Sequence, residues 1–289
     1  MPPELIDRQQ LARRRARALA AARLGADFLL DVVADDLIDR LAVVPRRFAR
    51  ALVIGDPTSR LDRALVASGQ VDSVVAADLL VPGPITGRPV IDDEALPFSA
   101  ESFDLVISCL TLQWANDLPG ALVQIRRTLR PDGLFLAVLV GGDSFTELRQ
   151  SLIAAESDIA GGASPRVLPM AEVRDLGALL QRAGFAMPVA DQDRMVLRYG
   201  DFFGLAADLA AMGATNCLTA RRRTPTAKGL LIRAAEIYGR DHADADGRVR
   251  ASLTLLSLSG WAPAPGQPKP LRPGSAQMSL AEALGKTRT

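Results

Sequence analysis

The chain has 289 residues, 48% hydrophobic and 23% charged, which is enough for one large α/β core. Its 34 Lys and Arg balance 33 Asp and Glu, so the net charge of +1 gives no electrostatic reason to expect a nucleic-acid partner. Every apolar run is far shorter than the roughly 20 residues of a membrane span, and no signal peptide is visible. We therefore expect a cytoplasmic protein without a transmembrane segment.

The two cysteines, Cys109 and Cys217, fit a reducing compartment and exclude a cysteine-based zinc site, so we expect no metal. Residues 1–45 are predicted to form an N-terminal helical segment of two helices. In the second helix Leu24, Phe28, Val32, Leu37 and Leu41 are expected to form the apolar stripe. The arginine-rich stretch at residues 13–17 is interpreted as a solvated helix face.

After Pro45 the pattern changes to short apolar runs separated by turns. Residues 51–54, 71–77, 103–109 and 134–140 are predicted strands, and residues 59–67 and 118–129 between them are predicted helices. Near-continuous apolar strands that alternate with helices predict an α/β fold with a doubly wound, mostly parallel sheet.

The second half is predicted to continue this fold with more helices and two late strands. Helices are expected at 145–157, 171–183, 202–212 and 226–238, and strands at 187–197 and 251–260. The segment at about 200–240 would be a helical insertion, a lid, before the last strand. The proline-rich stretch 262–289 is predicted to be an extended C-terminal strap.

Ligands of such sheets bind at the carboxyl ends of the strands, which here are 55–59, Asp78, 109–114 and 141–144. A carboxylate at Asp78 can accept hydrogen bonds from a ribose diol, although an acid after a strand is as often a turn or helix cap. The string from Asp92 through Leu96, Pro97 and Phe98 into residues 103–106 is more specific.

Together with Leu112-Gln113-Trp114 and residues 129–133, that string resembles the class I S-adenosylmethionine-dependent methyltransferases. The resemblance implies that S-adenosylmethionine is the cofactor and that residues 46–261 form a Rossmann-like methyltransferase domain. It further implies that Asp92 contacts the adenine amino group, Asp78 binds the ribose and Leu79 flanks the adenine. Gly55 and Cys109, at strand ends, complete the expected cofactor-binding set.

A narrower resemblance comes from residues 141–149, 175–185, 212–217 and 274–276. Their order and spacing are similar to the complex I assembly factors of methyltransferase fold, which are reported to hydroxylate an arginine of a complex I subunit. This resemblance implies a complex I subunit as partner and leaves the oligomeric state open. The biotin-pathway malonyl-carrier-protein O-methyltransferases share the region 143–149.

The first loop departs from the Gly-x-Gly-x-Gly pattern of that family. Val53 stands at the usual acid, Gly55 keeps the first glycine, and Pro57 and Ser59 replace the other two. Pro57 removes a backbone donor, and Asp56 brings a charge toward the expected place of the methionine carboxylate. Two like charges about 4 Å apart at an effective dielectric near 20 repel by about 4 kcal/mol.

Three functions therefore stay open: a methyl-transferring or hydroxylating enzyme, a non-catalytic assembly protein, and a malonyl-carrier-protein methyltransferase with Arg149 as its clamp. Four substrate-side candidates are Trp114, Asp143, Tyr199 and Asn216. Core packing is the alternative for Trp114, and helix capping for Asp143.

Overall fold

The computed structural model describes residues 4–268. The seven strands are β1 (Phe48–Ile54), β2 (Val71–Leu79), β3 (Val90–Ile91), β4 (Phe103–Cys109), β5 (Leu129–Gly141), β6 (Ala186–Tyr199) and β7 (Val249–Trp261). The eight helices are α1 (Arg8–Ala21), α2 (Phe28–Ala42), α3 (Arg60–Ala67), α4 (Leu118–Thr128), α5 (Thr146–Ala160), α6 (Val173–Arg182), α7 (Phe202–Ala211) and α8 (Lys228–His242).

The strands form one sheet in the order β3-β2-β1-β4-β5-β7-β6. Strands β1 to β5 pair in parallel, and β7 runs antiparallel to both β5 and β6. The predicted doubly wound, mostly parallel sheet is confirmed. Helices α7 and α8 lie between β6 and β7 in the chain, where a helical insertion was expected.

Strand β1 shows why the sheet is apolar on both faces. Alternate side chains of a strand point to opposite faces. Leu52 and Ile54 pack into the core under α4 and α6, whereas Ala51 and Val53 pack into the core under α2 and α3. Val53, at the position where the family resemblance implies an acid, is thus a fully buried core residue.

The expected apolar stripe of the second helix is correct at Leu37 and Leu41 but wrong at Leu24 and Val32, which are exposed. Leu24 is 99% exposed and precedes α2, which begins only at Phe28 after Gly25 turns the chain with a φ of +79°. The buried face of α2 consists of Leu29, Val33, Ala34, Leu37 and Leu41.

Helix α1 lies outside the two sheet cores. Its N-cap Asp7 accepts a hydrogen bond from the backbone N–H of Gln10, and Leu11 packs with residues that include Cys217 and Leu218. The backbone of Asp7 donates to Cys217 O at 2.8 Å, so the N-terminal segment is joined to the chain that follows α7.

Two further findings concern the ends of the chain and its helices. In the described part of the chain, no helix is long and apolar enough to cross a bilayer. Most of the predicted strap, including Gly274, Ser275 and Ala276, lies outside the described residues.

Candidate active site

A cavity of about 900 Å³ lies at the carboxyl ends of β1, β4 and β5. The first loop, the turn after β4, and parts of α1, α5 and α7 enclose it. Its wall includes Gly55, Pro57, Thr58, Leu110, Gln113, Trp114, Val140, Phe145, Leu148, Phe202, Met212 and Asn216. Two of the four predicted rim segments, 55–59 and 109–114, therefore contribute to the wall of this cavity, whereas Asp78 and residues 141–144 do not.

Gly55 is required by the packing of the strands. Its φ is +91°, and a Cβ at this position would collide with the side chain of Thr111 and the carbonyl of Cys109. The Cys109 thiol is buried, and burial together with the Asp56 charge raises its pKa. Cys109 thus borders the loop through its carbonyl and does not supply a thiolate.

Asp56 points neither to solvent nor into the cavity. It is 3% exposed, and its carboxylate accepts hydrogen bonds from the backbone N–H of Leu61 at 2.7 Å and of Thr58 at 3.0 Å. Asp56 therefore caps α3, and its oxygens use N–H groups that could otherwise receive a ligand carboxylate.

Ser59, which replaces the third glycine of the family pattern, adopts a left-handed backbone conformation. It occupies the N-cap position with φ +60° and makes no capping hydrogen bond with its side chain. A left-handed backbone disfavours a residue with a Cβ.

Asp78 ends β2 and is bound by protein groups. It is 5% exposed, its carboxylate accepts the Gly83 N–H at 2.7 Å, and it lies 3.7 Å from the guanidinium of Arg88. Arg88 also donates to Asp56 O and Ser59 Oγ and pairs with Asp62 at 2.9 Å. Arg88 thereby connects the first loop and α3 to Asp78, the residue expected to bind the ribose.

Arg8 plays a similar role at Asp92. Its guanidinium lies 2.5 Å from Asp92, also pairs with Asp93, and donates to Trp114 O at 2.9 Å. Asp93 is 1% exposed, and burial raises its pKa while Arg8 lowers it. No local sequence pattern indicated the roles of Arg8, Arg88 and Asp93, because their partners lie on other segments of the chain.

The nucleoside positions fit S-adenosylmethionine by residue type. Asp78 and Asp92 are carboxylates at neighbouring strand ends, and Leu79 lies beside Asp78. In this conformation Leu79 is fully buried, and none of the three lines the cavity. A nucleoside at Asp78 would compete with Arg88, and one at Asp92 would share that carboxylate with Arg8.

Two of the four substrate-side candidates line the cavity, namely Trp114 and Asn216. Asn216 also donates to Pro165 O at 2.9 Å and accepts the Leu218 N–H at 3.0 Å, so its amide holds the loop after α7. Gln113 donates to Leu110 O, and its Oε1 is buried without a partner in the described chain.

The other two candidates do not reach the cavity wall. Asp143 has an exposed side chain 3.9 Å from Arg194. Tyr199 packs beside α7, where burial and then the Asp208 charge raise its pKa to about 12. Arg149, the expected clamp, donates to Leu168 O at 3.3 Å and is also absent from the wall. The roles of these residues stay predictions.

Four arginines that were not among the expected site residues line the cavity, and one of them, Arg15, belongs to the stretch that was interpreted as a solvated helix face. Arg23 pairs with Asp208 and Arg166 with Glu156. Arg63 donates to Thr58 O, and Arg15 has a buried Nε without a partner in the described chain. Within residues 4–268, no group of three His, Cys, Asp or Glu side chains is placed to hold a metal.

Comparison with known proteins identifies relatives of nearly the whole chain. It is 36% identical to the mitochondrial arginine-hydroxylase NDUFAF5 of Danio rerio, over 96% of this chain and 90% of that protein. Identity to the human NDUFAF5 is 37%, over 90% of this chain and 77% of that protein. Identity to the malonyl-[acyl-carrier protein] O-methyltransferase of Gallionella capsiferriformans is 30%, over 90% of this chain and 93% of that protein.

A methyltransferase-domain family model matches residues 87–137, which begin after the first loop. The solved structure of Bacillus subtilis YcgJ superposes with a TM-score of 0.54 at 14% identity, covering 81% of this chain and 99% of that one, which shows the fold alone. S-adenosylmethionine is the cofactor of this class of transferases. The chain belongs to the class I S-adenosylmethionine-dependent methyltransferase family, in the group that contains the NDUFAF5 arginine-hydroxylases and the malonyl-[acyl-carrier protein] O-methyltransferases.

Proposed function

We propose that the chain uses S-adenosylmethionine to act on a protein subunit during the assembly of respiratory complex I. The observation that carries this proposal is the 36% identity to NDUFAF5 over 96% of the chain. That span includes α1 and α7, which enclose the cavity, as well as the sheet. The similarity therefore covers the substrate side of the site together with the cofactor side.

Asp78, Leu79 and Asp92 would hold the nucleoside, and Gly55 would border the methionine part. When bound, the cofactor supplies a methyl group on an electrophilic sulfonium. Trp114 and Asn216 lie on the wall where a substrate group would be oriented, and α1 and α7 exclude water from it. Methyl transfer needs mainly such positioning, whereas hydroxylation is supported only by the similarity to NDUFAF5.

Calorimetric titration with S-adenosylmethionine tests the cofactor half of the proposal. We expect saturable heat for the native chain and at least about tenfold weaker binding for Asp78→Ala, because a charge-assisted hydrogen bond to the ribose is lost. Asp143→Ala is the matched control, since Asp143 is exposed and outside the cavity wall. No heat at millimolar cofactor would refute the proposal.

A non-catalytic assembly protein is the second candidate. It is favoured by the pairing of Asp78 with Arg88 and of Asp92 with Arg8, together with the capping role of Asp56. This function predicts that a complex I subunit is captured without cofactor and that Asp78→Ala leaves capture unchanged. Loss of capture in Asp78→Ala would count against it.

Methylation of a malonyl-carrier protein is the third candidate. It is favoured by the 30% identity to the Gallionella enzyme over 93% of that protein's length. The expected clamp Arg149 does not line the cavity, whereas Arg15 does. Transfer of a labelled methyl group to malonyl-carrier protein would favour this function over the other two. Absence of transfer under conditions in which the cofactor binds would exclude it.

A further inference from the structure

The part of the cavity beneath α5 and α7 is apolar. Its wall there is formed by Leu148, Leu152, Phe202, Leu209 and Met212. Among the described residues that line the whole cavity, Asp27 alone carries a carboxylate. The body of a ligand in this space would therefore be recognised by apolar contact.

Arg15 brings a positive charge into this apolar space. It lies on α1 and lines the cavity, and it makes no ion pair or hydrogen bond within the described chain. The charges of Asp93 and Asp78 act on it from beyond ion-pair distance, and burial lowers the pKa of its guanidinium. The Nε of Arg15 is buried without a partner, and a partly desolvated cation that lacks a counter-charge is costly, so an anion on a ligand would relieve this cost.

The other arginines of the cavity are already bound by protein groups. Arg23 pairs with Asp208 at 3.5 Å, and Arg166 pairs with Glu156 at 2.9 Å. Arg63 donates to the carbonyl of Thr58 at 3.1 Å. In the part of the chain that is described, Arg15 is thus the cavity arginine whose guanidinium is left for a ligand.

The mouth of the cavity is marked by apolar side chains that are both exposed and part of its wall. Leu24 is 99% exposed, Phe203 48% and Ile85 36%. Large apolar side chains that are exposed and also line a cavity are available for contact with a ligand. They would meet an apolar chain as it enters.

We propose that the cavity binds a ligand with an apolar chain and a carboxylate, and that the carboxylate pairs with Arg15. This site goes beyond the proposed function, because it needs neither the cofactor nor a complex I subunit. The chain of the ligand lies along Leu148, Phe202 and Met212. A cationic or neutral head group in its place leaves Arg15 without a counter-charge.

Calorimetry with octanoate, octanol and octylamine, in the absence of cofactor, tests this inference. The native protein should bind octanoate at least about tenfold more tightly than octanol, and octylamine most weakly, because only the carboxylate gains a charge-assisted hydrogen bond. Arg15→Gln should weaken octanoate to the level of octanol and leave octanol unchanged. Arg13→Gln, an exposed arginine on the same helix, should alter neither.

A second measurement separates a binding role from a structural one. Because Arg15→Gln removes an unpaired buried charge, it should raise the Tm of the ligand-free protein while reducing the Tm increase given by octanoate. Equal affinity of the native protein for octanoate and octanol would overturn the inference without any variant. A lower ligand-free Tm in Arg15→Gln with unchanged octanoate affinity would overturn it as well. A failed S-adenosylmethionine titration leaves these outcomes untouched.

Discussion

Access of a ribose to Asp78 depends on Arg88. Its guanidinium is 7% exposed and lies between the first loop, Asp62 and Asp78. A ribose at Asp78 would compete with this ion pair. Arg88 thus stabilises the loop and at the same time lowers the affinity for the cofactor.

Arg88→Gln should therefore bind S-adenosylhomocysteine about fivefold more tightly, which corresponds to roughly 1 kcal/mol. The same change should lower the free energy of unfolding by about 1–3 kcal/mol, since Asp62 and Asp78 lose a charged partner. Calorimetry and urea unfolding measure the two effects. Arg60→Gln, on the exposed side of α3, is the control, and weaker binding by Arg88→Gln would show that Arg88 contacts the ligand directly.

Glu156 connects α5 to the loop that follows it. Its carboxylate accepts hydrogen bonds from Arg166 at 2.9 Å and from the Ser164 N–H at 3.0 Å, and the Arg166 contact in particular lowers its pKa from 4.5 to about 2. Arg166 lines the cavity, so this pair also fixes part of the cavity wall.

Because the folded pKa of Glu156 is depressed, its stabilising effect is present above the unfolded pKa of 4.5 and is lost as pH falls toward about 2. We expect the Tm of the native protein to fall through this window and that of Glu156→Gln to fall less steeply. Thermal unfolding at a series of pH values measures the difference. Parallel curves for the two proteins would contradict the assigned role.

At the scale of single residues, local sequence patterns predicted the strand-end residues of the site but not the arginines that lie beside them. Gly55, Asp78 and Asp92 could be placed at strand ends from local patterns alone. Arg8 could not, because its partner Asp92 is 84 residues away and no periodicity connects them. Arg15 stands in an arginine-rich stretch that predicts a solvated face, whereas packing against the chain after α7 turns it into the cavity.

Among the elements, a largely buried ion pair helps to hold the N-terminal segment to the loop after β3. Arg8 is 14% exposed and Asp93 1% exposed. Removing one partner of such a pair leaves an uncompensated buried charge, whereas replacing both with apolar residues does not. The pair therefore offers a double-mutant test of how the segment docks.

Arg8→Met should lower the free energy of unfolding by about 3–5 kcal/mol, and the double variant with Asp93→Leu should recover most of that loss. Denaturant unfolding of the two single variants and the double variant measures the coupling. Arg17→Met, at an exposed position of α1, should change stability by less than about 0.5 kcal/mol. Additive losses in the double variant would mean that the pair does not hold the segment.

Elements with strong apolar runs were predicted correctly, whereas the short strand β3 and the buried face of α2 were not. Strands β1, β2, β4 and β5 each contain a run of four or more apolar residues, which is typical of a sheet that is covered on both faces. Strand β3 has two residues, too few for any periodicity. The face of α2 was misassigned because Gly25 ends the preceding turn, so Leu24 never joins the helix.

In the whole molecule, the N-terminal segment and the chain after α7 form one cover over the cavity. Asp7 N donates to Cys217 O at 2.8 Å and Thr219 N to Leu5 O at 2.9 Å. Asn116 holds this cover to the turn after β4, accepting the Ile6 N–H at 2.7 Å and donating to Ile6 O at 3.0 Å.

Asn116→Ala should therefore increase hydrogen exchange at the Asp7 and Thr219 amides together, by about tenfold, which corresponds to roughly 1.4 kcal/mol of local stability. Amides of β4 and β5 should exchange as in the native protein. Exchange detected by mass spectrometry resolves these peptides. Faster exchange in the N-terminal segment alone would show that the two halves of the cover open separately.

The backbone at Ser59 has a further consequence for the closed first loop. With φ at +60°, it holds a shape that glycine adopts without steric penalty, and its hydroxyl is one of the acceptors for Arg88. Exchanging this serine for glycine would relax the main chain by roughly 1 kcal/mol and release one bond of the guanidinium that covers Asp78. Loss of the two heavy atoms of the Ser59 side chain would thus both remove a bond that holds Arg88 over Asp78 and relieve the strained turn, with no second substitution needed.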